Sequence, residues 1–97
     1  MDKSSVINRL KELKHGLLLL GISKVGLFGS TVREEATMES DVDILIDFEE
    51  GKETFGNFMS VCDILQDAFG KMKVDVVTVK GLSPFIGSQI LSEVEYV

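Results

Sequence analysis

Val25–Asp43, VGLFGSTVREEATMESDVD, is the stretch whose reading decides the fold. A short apolar run, Val25–Phe28, ends in Gly29-Ser30. Ten residues separate Ser30 from Asp41, and Asp41-Val42-Asp43 then heads a second apolar run, Ile44-Leu45-Ile46. Glycine has no Cβ, so its backbone turns tightly and approaches a ligand closely. A serine just after it, opening a helix, presents a hydroxyl and backbone N–H groups that together suit a phosphate. Side chains two apart on a strand share a face, so Asp41 and Asp43 project side by side. Adjacent carboxylates repel unless a cation sits between them, and oxygen-only ligation suits Mg²⁺ with a nucleotide's phosphates. Taken singly, Gly-Ser is also ordinary punctuation between strand and helix, and Asp-x-Asp also fits a solvated strand face.

Working outward, residues 41–48 alternate. Asp41, Asp43, Leu45 and Asp47 share one face, and Val42, Ile44, Ile46 and Phe48 share the other, which should meet the helices. Upstream, Lys24–Phe28 reads as a short central strand. Before it lies a helix capped by Ser4 or Ser5 and running to Leu20, with Val6, Leu10, Leu13, Leu17 and Leu20 as its apolar stripe. Ser30 to Glu35 is expected to form a brief helix in which Arg33 lies one turn beyond Ser30. Arg33 is either a solvated helix residue or a cation for phosphate or an aspartate. Thr37–Ser40 reads as a polar turn and Glu49–Glu53 as a charged loop.

Downstream, Thr54–Phe69 predicts a helix that buries Phe55, Phe58, Met59, Cys62, Leu65 and Phe69, with Gly70 ending it. Met72–Val79 is a third strand. Asp75 interrupts its valines, and a carboxylate there is costly unless something pairs with it. Gly81–Val97 closes as a loop and helix, with Ser83 as cap, Pro84 in the first turn, and Phe85, Ile86, Ile90 and Val94 packing back. These elements describe an α/β fold: one small domain, residues 1–97, with a short mixed sheet of about three strands flanked by helices.

Composition narrows the function. The chain has 97 residues, 44% of them hydrophobic, and a single proline, which fits a folded globule. No apolar run nears the length of a bilayer span, and nothing at the N-terminus reads as a secretion signal. One cysteine excludes an internal disulfide, and no Cys/His cluster exists to hold zinc. A cytoplasmic location is expected. The net charge of −6, with Lys and Arg spread thinly, disfavours direct nucleic-acid binding and suits a basic protein partner.

Gly29-Ser30, ten residues, then Asp41-x-Asp43 resembles the signature of the DNA polymerase beta-type nucleotidyltransferase superfamily. The whole chain, including the closing run GLSPFIGSQILSEVEYV, is most similar to its minimal single-domain branch, whose members are often encoded beside HEPN-domain toxins. The resemblance implies Asp41, Asp43 and Asp75 as catalytic and metal-binding carboxylates holding two Mg²⁺ ions. It implies Gly29, Ser30 and Arg33 as nucleotide-binding residues. It further implies transfer of a nucleoside monophosphate, AMP from ATP, onto a hydroxyl of a HEPN-type toxin. The alternative is an inactive antitoxin that neutralises its partner by occupying it. Two departures stand out. Glu34 replaces the usual glycine, and no basic residue lies near Ile86.

Overall fold

The computed structural model describes residues 2–35 and 41–97; the expected polar turn at 37–40 lies outside them. Among the described residues the elements run α1 (Lys3–Leu19), β1 (Ile22–Phe28), β2 (Val42–Phe48), α2 (Phe55–Phe69), β3 (Val74–Thr78), a 3₁₀ turn (Val79–Gly81), α3 (Gly87–Glu93) and β4 (Glu95–Tyr96). The strands form one mixed sheet in the order β3-β2-β1-β4. β1 pairs antiparallel with β2 and β4, whereas β2 and β3 run parallel. Parallel neighbours need a crossover, and α2 supplies it. β1 is therefore central, as expected, and β2 stands beside it in the middle of the sheet.

The alternation in β2 orients everything else. Val42, Ile44, Ile46 and Phe48 join Val25 and Leu27 of β1 in the core, beneath Val6, Leu10 and Leu17 of α1 and Val61, Leu65 and Phe69 of α2. The opposite face carries Asp43, Leu45 and Asp47, and Leu45 is fully buried there. Gly26, its partner across β1, explains part of the cover. A Cβ at Gly26 would lie 2.6 Å from Val94 Cγ2 and 3.0 Å from the Glu95 carbonyl oxygen, so the C-terminal segment lies flat against β1. Truncating a core residue such as Leu27 to alanine removes packing worth about 2–5 kcal/mol.

Several sequence expectations are corrected. α1 is capped by Asp2, whose side chain accepts from the Ser5 N–H at 2.9 Å, rather than by either serine; Asp and Ser cap about equally well. α2 keeps its ends, with Thr54 as N-cap, but its buried stripe is rotated. Val61, Leu65 and Phe69 are buried and Phe58 is partly so, whereas Phe55 is 82% and Met59 41% exposed. Apolar residues crowd so much of this helix that several phases fit the periodicity, and only the sheet beneath selects one. The sheet has four strands rather than three, because Glu95–Tyr96 pairs with the edge of β1. The final helix begins at Gly87 without a side-chain cap. Phe85, at 93% exposed, and Ile86 stand in solvent instead of packing back. Among the described residues no helix is long and apolar enough to cross a membrane.

Ser30–Glu35 is a turn rather than a helix, and its bonding says why. The Glu35 N–H donates to the Ser30 carbonyl at 2.9 Å and the Glu34 N–H to the Thr31 carbonyl at 3.1 Å. This six-to-one and five-to-two pairing closes a helical turn through a residue in the left-handed region, where glycine is favoured. Glu34 holds that position at φ 60°. The glycine that the family resemblance implies at this place is the residue this backbone favours. Glu34→Gly should stabilise the protein by about 0.5–1 kcal/mol, the left-handed penalty less glycine's entropy. A melting temperature lowered by this change would contradict the strain.

Candidate active site

β1 ends at Phe28, and the chain must turn sharply there to leave the sheet. Gly29 makes that turn at φ 76°. A Cβ on it would lie 2.2 Å from Asp43 Oδ2, so the missing side chain is what lets the Asp43 carboxylate lie against the turn. Asp43 itself is placed by strand register, opposite Phe28 on β1 and opposite Asp75 on β3. Directly opposed residues share a face and stand about 5 Å apart, where two like charges are unfavourable. Ser30 follows Gly29 and is partly buried. Asp41 precedes β2, partly buried, with Lys73 Nζ 3.8 Å from its Oδ2.

The electrostatics record this crowding. Partial burial, then the charges of Asp75 and Asp41, push Asp43 up from 3.8 to about 6, with Arg33 opposing and Glu93 adding to the rise. Asp75 was expected to be a costly carboxylate among valines. It is exposed, because it occupies the face of β3 turned away from the core. Its significance lies in its register with Asp43. The candidate carboxylates thus converge electrostatically on Asp43. Among the described residues, though, no three Asp, Glu, His or Cys side chains are gathered closely enough to form a finished metal cage.

Arg33 is brought to the site but arrives with partners. Its Nη1 donates to Glu93 Oε2 at 2.9 Å and Oε1 at 3.2 Å, and its Nε lies 3.6 Å from Glu35 Oε2. The Gly29 N–H donates to the same Glu93 Oε1 at 3.0 Å. Sequence reasoning missed Glu93. It sits in no local motif, and the contact spans 60 residues to Arg33 and 64 to Gly29.

A mixed sheet whose central strand ends in a glycine turn packed on a strand-borne aspartate, register-paired with a second aspartate from the parallel neighbour, defines a nucleotidyltransferase class of domain. The donor set is all oxygen, as hard divalent cations require. The chain belongs to the nucleotidyltransferase domain family, whose profile matches residues 4–97. It is similar to the protein adenylyltransferase MntA of Thermococcus cleftensis, at 42% identity over 77 residues, covering 79% of this chain and 76% of that one. A solved structure of a candidate minimal nucleotidyltransferase matches with a TM-score of 0.84 and 33% identity, covering 98% of this chain and 95% of the other. A toxin-antitoxin solved with AMP-PNP shares the fold, with a TM-score of 0.68 at 18% identity over 99% of this chain and 72% of that one.

Proposed function

We propose that this chain, acting as one minimal domain, transfers AMP from ATP to a hydroxyl of a partner protein, and that the partner is a HEPN-type toxin which it restrains as antitoxin. The observation that carries the reading is Asp43, seated on the Gly29 turn and paired in register with Asp75. Similarity to a protein adenylyltransferase supports adenylyl transfer. The fold shared with a toxin-antitoxin crystallised with AMP-PNP agrees with a nucleotide donor and a protein partner. The cytoplasm, where ATP and such a partner meet, is the expected location.

In this reading the acceptor hydroxyl attacks the α-phosphorus, the bond to the β-phosphate oxygen breaks, and pyrophosphate leaves. Phosphoryl-type transfer asks mainly for placement and charge compensation. The Gly29 turn brings backbone close to the triphosphate, and Ser30 offers its hydroxyl to the phosphate oxygens. Arg33 lends positive charge at the same end of β1. Asp41, Asp43 and Asp75 would hold Mg²⁺, two ions in all, which would neutralise the phosphates and activate the attacking hydroxyl. Asp43, lying against the Gly29 turn and in register with Asp75, offers carboxylate oxygens of the kind a hard divalent cation takes, so the donor chemistry fits the metal. Asp75, the most exposed of the three, would take the proton that the hydroxyl gives up.

One observation favours a second reading, a binding-only antitoxin: Arg33 is already engaged by Glu93 and Glu35. Metal dependence separates the two. The partner protein, incubated with this chain, Mg²⁺ and ATP, should gain the mass of one or more adenylyl groups by intact-mass spectrometry. The adduct should vanish with chelator or with Asp43→Ala. A stable complex that forms in chelator without any adduct would establish the binding-only role instead.

A further inference from the structure

Glu93 is the last residue of α3, and the two residues of β4 begin just two positions on. β4 pairs with the middle of β1, Tyr96 opposite Gly26 and Glu95 opposite Leu27. The same strand, β1, ends in the Gly29 turn. Sheet pairing therefore sets how far Glu93 reaches, and it reaches the turn. One carboxylate oxygen, Oε1, accepts from both the Gly29 N–H at 3.0 Å and Arg33 Nη1 at 3.2 Å, while Oε2 accepts from the same nitrogen at 2.9 Å. The Glu93 side chain is 21% exposed and that of Arg33 is 43% exposed. A partly buried carboxylate bridging a backbone amide and a guanidinium makes charge-assisted bonds, which are stronger than neutral ones.

We infer that Glu93 is a positioning residue, clamping the Gly29 turn to the C-terminal segment and aiming Arg33 at the phosphate end of the site. The inference rests on the nucleotidyl-transfer reading for its consequence, though the clamp itself is a property of the fold. Gly29 is held at φ 76° from two sides: its carbonyl accepts from the Arg33 N–H at 3.2 Å, and its own N–H donates to Glu93. Arg33 lies at the end of that turn, next to Glu34 in its left-handed conformation, so one carboxylate restrains both ends of the 29–33 segment. Without it the segment can swing away from Asp43, against which Gly29 is packed.

Three measurements test the clamp. By NMR hydrogen exchange on the protein without nucleotide or partner, Glu93→Ala should cut protection of the Gly29 amide about tenfold. Glu93→Gln should cut it less, because an amide oxygen still accepts from Gly29. A fluorescent ATP analogue with Mg²⁺ should then bind Glu93→Ala about tenfold more weakly, and the double change with Arg33→Ala should be no worse than the weaker single variant. In turnover assays the loss should fall on KM for ATP rather than on kcat. Thermal melting confirms that the variants remain folded. Unchanged exchange at Gly29 overturns the clamp, and so does tighter nucleotide binding by Glu93→Ala, which would make Glu93 a competitor of phosphate. Should the intact protein transfer nothing while Glu93→Ala still loosens Gly29, the transfer reading fails and the clamp stands.

Discussion

Asp43→Asn is expected to reduce adenylyl transfer on the order of 10³-fold or more while making the metal-free protein more stable. The two effects share one cause. Asp43 is partly buried and faces Asp75 and Asp41, which pushes it up to about 6. An acid held above its ordinary value is destabilising when ionised, so the cost is absent below about pH 4, grows between about pH 4 and 6, and is complete above that range. Because the site is half open to solvent, screening leaves on the order of 1 kcal/mol. For a chain of this size that is several degrees in Tm. Calorimetry in chelator should show Asp43→Asn melting above the unsubstituted chain at pH 7, with the gap closing as pH falls toward 4. Mg²⁺ should raise the melting point of the unsubstituted chain and leave the variant nearly unmoved. A variant that melts lower at pH 7 would mean Asp43 supports the fold and is no carboxylate kept for a cation.

Gly29→Ala should be the most damaging single-methyl change at the site. The new Cβ would stand 2.2 Å from Asp43 Oδ2 and 3.0 Å from its Cγ, in a backbone at φ 76°. Gly51 provides the control. Its φ is 78°, and a Cβ there meets nothing within 4 Å. Gly51→Ala therefore carries only the left-handed penalty, about 1 kcal/mol. Gly29→Ala carries the same penalty plus a clash that must displace either the turn or Asp43, about 2–4 kcal/mol in all. Because a shift of about 1 Å in a reacting group costs roughly a hundredfold, activity should fall at least that far. Urea unfolding of both variants decides the point. Equal losses would show that Asp43 does not rest on the turn.

Where sequence reading succeeded, local geometry was enough. Strand alternation is a property of the backbone, so residues 41–48 divide into a core face and an acidic face whatever surrounds them. The apolar stripe of α1 is sparse, and its 3.6-residue period admits one phase; Val6, Leu10 and Leu17 are buried as expected, with Leu13 and Leu20 partly so. In α2 apolar residues are too dense for the period to choose, and packing on the sheet chose Val61 over Cys62 and left Phe55 in water. Phe85 and Ile86 look like core residues by composition, yet the turn that ends in Gly87 carries them outward.

The sequence by itself determined the α/β character of the fold, the two apolar strands of the opening stretch, and the glycine and aspartates at their ends. Each of these follows from interactions within a few residues. Only the tertiary structure decided that Asp75 lies in register with Asp43, that β4 adds an edge to β1, and that Glu93 bridges Arg33 and Gly29. Those pairings join residues from 32 to more than 60 positions apart. No local pattern encodes them, because the free energy that selects them is gained only once the sheet has closed and the C-terminal segment has settled on β1.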